Sequence, residues 1–565
     1  MKSLIICLYF LSGFSALLYQ VIWQRIITLT IGVDTFSVSL IVAIFMLGLG
    51  VGSLIGGSIS DRLSNKRALV AFIILELLIG CFALYSKVIL YDSIYLSSLH
   101  LHSSTPMVAI IYFLILLLPT LCMGATLPIL SRAITSTLSL APREVSLIYG
   151  MNVLGAACGA FISGFYLVRL FGFDVTTKIG AGLNFFTALV IISLLPAIKN
   201  DIKTYNQSSD SFVSIPKIWA CAYLLSGFLN LGLEILWFRI LGALLKSNAY
   251  TFSYLLFLYL LGLAAGVLSS AFFTLRFKRP GISFLRLQVA AIVFSGLSLI
   301  VLSLLLDDAN VLGNIRAYLN SYEPIGMSIS SRASRGLYLV VAPVLIIIPT
   351  FLIGFSFVYL QEESLRKFSG IGKTLGWLQA FNITGATLGS LMVGMVLLEY
   401  LGSISTLRVI MLLSLAYLTL MGILGNYKVE IAGILVCILL TAFFLPSNAK
   451  FLELLHGSLV SDQIQVKEDG TGIAALKTQG KITYVFTNGL GQSWIPFGSI
   501  HSLLGILPLF VHSNPKKIAV IGLGSGDTLF SSAGRKGIES IVCFEIVKPL
   551  ISASPSEFVG DFRTM

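Results

Sequence analysis

Apolar runs long enough to cross a bilayer recur along the first 446 residues of the 565-residue chain, and this recurrence limits its fold more than any other feature. A helix rises about 1.5 Å per residue, so roughly 20 apolar residues cover the ~30 Å hydrocarbon layer. Twelve such runs stand at 4–30, 36–60, 67–90, 106–133, 145–171, 178–198, 217–243, 250–274, 284–306, 337–361, 373–400 and 405–424. A thirteenth follows at 429–446. Only 11% of residues are charged, against about 25% in an ordinary soluble domain. No soluble core buries that much apolar chain, so the reading is a multi-pass protein of a bacterial-type plasma (inner) membrane, with the lipid bilayer as its first partner. The first run begins directly after Lys2 and has no small-residue cleavage site, which makes it a membrane helix rather than a secretory signal.

Net charge is +12, and the membrane accounts for it without nucleic acid: Lys and Arg collect in cytoplasmic loops. With the N-terminus inside, the inner loops carry fifteen Lys or Arg (Arg62, Lys66, Arg67, Arg132 and Arg143 among them) and the outer loops eight, which favours that orientation. Twelve crossings return the chain to the cytoplasm, where the tail is expected. The thirteenth run then has to lie in the interface or re-enter, or else it carries the tail outside. The seven cysteines are isolated, with no C-x-x-C and no paired His, so neither a disulfide frame nor a metal site is expected.

The chain repeats itself. "LSGFSALLYQVIWQRI" (Leu11 to Ile26) returns as "LSGFLNLGLEILWFRI" (Leu225 to Ile240), 214 residues on. "PTLCMG" (from Pro119) returns as "PTFLIG" (from Pro349), and "NVLGAACGAFISG" (from Asn152) as "NITGATLGSLMVG" (from Asn382), both 230 residues on. Matches in the same order mean two homologous six-helix halves. An even number of crossings separates them, so they share one topology about an axis along the membrane normal. Glycines at four-residue spacing (Gly48, Gly52, Gly56; Gly155, Gly159; Gly262, Gly266; Gly385, Gly389) mark faces where helix backbones approach closely.

Within these helices, Gln20 and Glu234 are equivalent, each three residues before a Trp and five before an Arg (Arg25, Arg239). At 100° per residue the Arg points about 140° away, so no Glu234 to Arg239 pair is expected within the helix. An ionisable group at membrane depth faces the bundle interior or water, which makes Glu234 and Gln20 cavity candidates; the alternative is a place at the interface. Asn152 and Asn382 are further candidates, with hydrogen bonding between helices as their simpler role.

After Pro446 the composition changes. Short β-rich runs broken by Asp-Gly, Gln-Gly and Asn-Gly predict a meander of hairpins over 449–498. An apolar helix follows. Then "KIAVIGLGSGDT" (from Lys517) and "SIVCFEI" (to Ile546) read as strand, turn, helix and strand, with Gly522, Gly524 and Gly526 in the turn and Glu545 at the carboxyl end of the second strand. That is the first part of a Rossmann-like nucleotide fold, in which glycines let the cofactor approach the backbone and the acid accepts ribose hydroxyls.

Two family resemblances rest on these residues. The duplicated halves, with "GSISDRLSNKR" (Gly57 to Arg67) between the second and third helices, resemble major-facilitator transporters, although the loop lacks the second glycine of their motif. The tail, with "NGLGQ", "HSLLGILPLFVH" and the glycine turn, resembles the start of a spermidine synthase. Together the chain resembles the fused membrane proteins that join the two.

That resemblance implies an all-α bundle of two six-helix repeats (1–198 and 217–424) joined by a linker at 199–216, an extra apolar segment at 425–448, a β meander at 449–498 and an incomplete Rossmann-like domain at 499–565. It also implies decarboxylated S-adenosylmethionine or a related adenosyl nucleoside as co-substrate, held by Gly522, Gly524, Gly526 and Glu545, with Gln492 and His501 lining the pocket. The family's catalytic Asp comes after a later strand, so the chain reads as C-terminally truncated, with aminopropyl transfer to a polyamine in doubt. The alternative is a transporter of small cationic solutes with a vestigial tail.

Overall fold

The computed structural model describes residues 2–31, 35–96, 105–135, 140–198, 217–246, 250–273, 279–308, 313–321, 335–365, 371–457, 463–498 and 500–553. The linker at 199–216 and the last residues of the tail lie outside these ranges. Ten helical stretches are long and apolar enough to cross a membrane, two of them 57 and 53 residues long, Ala141–Ala197 and Gly372–Leu424. At 1.5 Å per residue each of these exceeds twice the ~30 Å layer. Each turns back at one glycine in the left-handed region, Gly172 (φ 70°) and Gly402 (φ 73°), positions 230 residues apart like the repeat itself. A β-carbon disfavours that conformation, so glycine is what permits the reversal. The ten stretches therefore supply the twelve crossings read from the sequence.

The repeat is visible atom by atom. Asn152 Nδ2 donates to the Tyr9 carbonyl at 3.2 Å, and Asn382 Nδ2 to the Tyr223 carbonyl at 3.3 Å. A β-carbon on Gly155 would lie 1.9 Å from the Phe10 oxygen, and one on Gly385 1.8 Å from the Leu224 oxygen. The same holds for Gly48 and Gly262 against the hydroxyls of Thr120 and Thr350, at 1.9 and 2.0 Å. These are close backbone crossings of the first helix with the fifth and the second with the fourth, repeated in the other half. With little hydrophobic drive between helices in lipid, such contact and its dispersion energy hold each half together.

The halves meet through the fifth and eighth helices on one side and the second and eleventh on the other. Gly164 abuts the Ser253 hydroxyl, and Gly394 abuts that of Ser39, again in equivalent positions. At the end carrying the N-terminus, Asp61 accepts from the backbone N–H of Gly372 (2.9 Å) and Lys373 (2.8 Å), tying the loop after the second helix to the start of the eleventh. The N–H groups of a helix start suit a carboxylate.

The thirteenth apolar run is a helix, Lys428–Phe444, bent by 65° into a short one, Asn448–Leu455. It runs back along the whole twelfth crossing: Arg408, near the start of that crossing, donates to the carbonyls of Ala442, Leu445 and Pro446. Asn448 accepts from the N–H groups of Ile404 and Ser405 there. The run thus carries the tail to the end of the bundle opposite the N-terminus. This corrects the expectation that the tail shares the N-terminal side. Sequence periodicity cannot say whether an apolar run crosses, whereas these partners at its far end do.

The tail opens with a four-stranded antiparallel meander, β1 (Gln463–Glu468), β2 (Ile473–Gln479), β3 (Ile482–Thr487) and β4 (Leu490–Ile495), as the Gly-containing turns predict. The helix Ile500–Val511 follows, and then β5 (Lys517–Ile521) and β6 (Ser540–Phe544), which pair in parallel around the short helix Asp527–Ser532. Among the described residues this is one βαβ unit of two strands, not a doubly wound sheet.

The meander is latched to the second half. The buried Arg239 pairs with Glu468 (3.3 Å) and donates to the carbonyls of Asp469 and Gly472. Glu468 also accepts from the N–H and hydroxyl of Ser403, just past the Gly402 turn. One carboxylate thereby joins the seventh helix, the twelfth and the tail. Leaving Arg239 buried without it is costly, which explains why charge sits there.

With the basic loops cytoplasmic, the tail is extracytoplasmic. In a cysteine-free background, a single cysteine at exposed Ser513 should react with a membrane-impermeant maleimide added outside intact cells, and one at exposed Ser3 only after lysis. The opposite pattern would invert the topology.

Candidate functional site

Between the halves lies a cavity of about 270 Å³. Both repeats contribute equivalent residues to its wall: Ser12 and Ser226, Gln20 and Glu234, Asn152 and Asn382. The cavity candidates from the sequence are therefore brought together on one wall. The two arginines leave the cavity, as the helix geometry predicts. Arg239 takes the meander, while Arg25 donates to the Gly164 carbonyl at 3.3 Å.

Among the residues lining the cavity there is no Lys, Arg or His, and Glu234 is the one carboxylate. It is 7% exposed and has no hydrogen-bond or ion-pair partner among the described residues. Two further acceptors stand without donors. Asn230 uses its Nδ2 on the Ser226 hydroxyl (3.1 Å), and Gln288 its Nε2 on that of Ser356 (2.9 Å), which leaves Asn230 Oδ1 and Gln288 Oε1 buried and unmatched. Tyrosines 149, 223 and 259 and several Leu, Ile and Phe side chains complete the wall. An excess of acceptors in a confined, largely apolar space suits a ligand rich in N–H donors, because each unmatched buried acceptor costs about 1–3 kcal/mol.

Glu76 was not singled out by the sequence reading. It lies in the third helix, fully buried, behind Ser12 and Asn184 of the cavity wall. An acid inside "IILELLIG" (from Ile73) was the available signal, and the repeat hid it because the second half shows no equivalent acid.

The tail places its expected nucleoside residues differently. Gly522, Gly524 and Gly526 do form the turn after β5, all with positive φ. Glu545, however, already accepts a backbone N–H on each oxygen, from Leu523 and from Val547, both at 2.8 Å. Ser525 donates its N–H to the Ser493 hydroxyl at 2.5 Å, so the turn is packed on β4. Gln492 precedes Ser493, leaves the strand on the opposite face and is exposed. His501 meets the helix after the turn through its carbonyl, which accepts from Thr528 at 3.0 Å. The nearby Cys543 thiol is pushed up, first by burial and then by the Glu545 charge, and so is held unreactive. The acid expected to hold the ribose thus also holds the chain's own backbone, one N–H on each oxygen.

Among the described residues no group of three or more His, Cys, Asp and Glu is placed to hold a metal ion.

A structural role for Glu545 predicts that Glu545→Ala lowers the stability of the tail by about 1–3 kcal/mol with no nucleoside present. Thermal unfolding of the purified chain reads this directly. An unchanged melting curve, with weakened binding of an adenosyl nucleoside, would return the residue to a ribose-binding role.

Residues 5–331 match the family described as Major Facilitator Superfamily. No curated protein matches the chain in sequence. Among solved structures, the chain is similar to the E. coli fucose:proton symporter (12% identity, 79% of this chain and 98% of that one, TM-score 0.47). It is also similar to a nucleoside transporter (13% identity, 74% and 98%, TM-score 0.45) and to a bacterial homologue of the iron transporter ferroportin (13% identity, 74% and 99%, TM-score 0.43).

Proposed function

The chain belongs to the Major Facilitator Superfamily, and from that premise we propose that it carries a small cationic solute across the membrane through the cavity between its halves. The observation that carries this reading is the unpartnered Glu234. A carboxylate at membrane depth, with no counter-charge among the described residues, is kept only where something else meets it, and a solute ammonium group is such a partner. The unmatched oxygens of Asn230 and Gln288 add acceptors for further N–H groups of the same solute. Fold alone says little about substrate, so the assignment rests on these groups. A diamine such as putrescine has the right charge and donors.

The second reading, a spermidine-synthase-like tail that binds decarboxylated S-adenosylmethionine, is favoured by one observation: three left-handed glycines between parallel strands, with Glu545 at the carboxyl end of β6. Against it stand the outward Gln492 and the tail's place at the end of the bundle away from the basic loops, where adenosyl co-substrates are not made. Transport is therefore the stronger assignment, with the tail as an attached module.

Vesicles containing the protein should take up labelled putrescine, and Glu234→Gln should reduce uptake roughly tenfold to a hundredfold, the value of a charge-assisted hydrogen bond of about 1.5–3 kcal/mol. Uptake that Glu234→Gln leaves unchanged would remove the residue from the mechanism.

A further inference from the structure

Among the described residues Glu76 is the most deeply buried carboxylate in the membrane bundle, and the cavity reading gives it no role. Both its oxygens are engaged. Ser12 donates its hydroxyl to Oε1 at 2.5 Å, and Asn184 donates Nδ2 to Oε2 at 2.6 Å. Asn184 is itself fixed, because its Oδ1 accepts from the Tyr19 hydroxyl at 2.6 Å. Tyr19 stacks on Trp23, with ring centroids 5.5 Å apart and planes 13° from parallel, so the phenol cannot turn freely. The titratable groups in electrostatic reach of Glu76 are Tyr9 and Tyr19 of the first helix, both phenols. The fourth and sixth helices pack on either side of the third, and among the described residues they bring no charged side chain to this carboxyl.

Three consequences follow from these directions. A carboxylate served by two neutral donors and no cation can take up a proton without breaking an ion pair. Asn184 cannot act as an acceptor toward Oε2 while Tyr19 holds its oxygen, so Oε2 is closed to a proton. Ser12 has no such restriction: a hydroxyl both donates and accepts, and it also lines the cavity.

The geometry points to Glu76 as a proton-binding site of the first half, loaded from the cavity through the Ser12 hydroxyl. This deepens the transport reading, in that the proton site and the solute carboxylate Glu234 share one cavity. In the loading step a hydronium ion in the cavity breaks one of its O–H bonds, gives that proton to Ser12 Oγ and becomes water, and the hydrogen that Oγ held passes to Glu76 Oε1. One O–H bond forms at Oγ and one breaks there, one forms at Oε1, and the carboxylate becomes a neutral acid. Ser12 Oγ then accepts from the acid, and its own hydrogen faces the cavity instead of Glu76. The charge state of Glu76 thus sets whether Ser12 offers the cavity an acceptor or a donor.

The test is infrared spectroscopy of the full-length protein in lipid nanodiscs, titrated between about pH 5 and 9. A carboxylic-acid band should appear on acidification in the wild type, and a component of it that survives in Glu234→Gln should be missing from Glu76→Gln. On transfer to heavy water the band shifts as the acid exchanges its proton. In Ser12→Ala the band should remain, with exchange slower by about tenfold or more, the scale of losing a positioned proton carrier.

Absence of a Glu76-dependent band across the range would overturn the site. Exchange in Ser12→Ala as fast as in the wild type would overturn the route, and this readout stands even where Glu76→Gln fails to fold. Loss of putrescine uptake plays no part in either outcome. The cavity reading and the proton site therefore fail separately.

Discussion

The interaction on which the rest depends is the close approach of helix backbones at glycine. Lipid gives apolar side chains little reason to leave it, so cohesion inside each half has to come from contacts too short for a β-carbon. Gly155 over the Phe10 carbonyl and Gly385 over the Leu224 carbonyl are the same contact made twice. Around it Asn152 and Asn382 make the same hydrogen bond twice, each to the carbonyl one residue earlier in the first helix of its half. Two rigid halves result, and the space left between them is the cavity.

Equivalence sets the frame, and its breaches carry the chemistry. Gln20 and Glu234 occupy one position, but only the second half has the charge there. Arg25 reaches a carbonyl within its own half, whereas its counterpart Arg239 is committed to the meander through Glu468. Glu76, with Ser12 and Asn184, belongs to the first half. The two halves therefore present different polar groups to one cavity, which a solute and a proton can use without competing for the same carboxylate. The latch at Arg239 and Ser403 ties the tail to the second half, so the tail follows that half in any rocking motion.

Much of this was legible in the sequence. Period and length gave the crossings, and self-similarity gave the halves, because both depend on local composition. The candidates Gln20, Glu234, Asn152 and Asn382 followed from one rule, that polar groups at membrane depth face inward. What was not legible depended on distant partners. The side on which the tail lies was decided by Arg408 and Asn448 meeting residues more than 30 positions away. That Glu545 also accepts backbone N–H groups from Leu523 in the glycine turn and from Val547 is something no spacing rule shows. Glu76 escaped because it breaks the repeat: the second half has no equivalent acid.

The central claim is that equivalent residues of two halves face one shared cavity. Ser12 and Ser226 are such a pair, both buried and both on its wall. The most direct measurement replaces each in turn by cysteine in a cysteine-free background and follows reaction with a small charged thiol reagent in the absence and presence of putrescine. The account predicts that both react and that putrescine slows both. If neither reacts, or if only one does and putrescine leaves its rate unchanged, the two positions do not share an aqueous site and the account is contradicted.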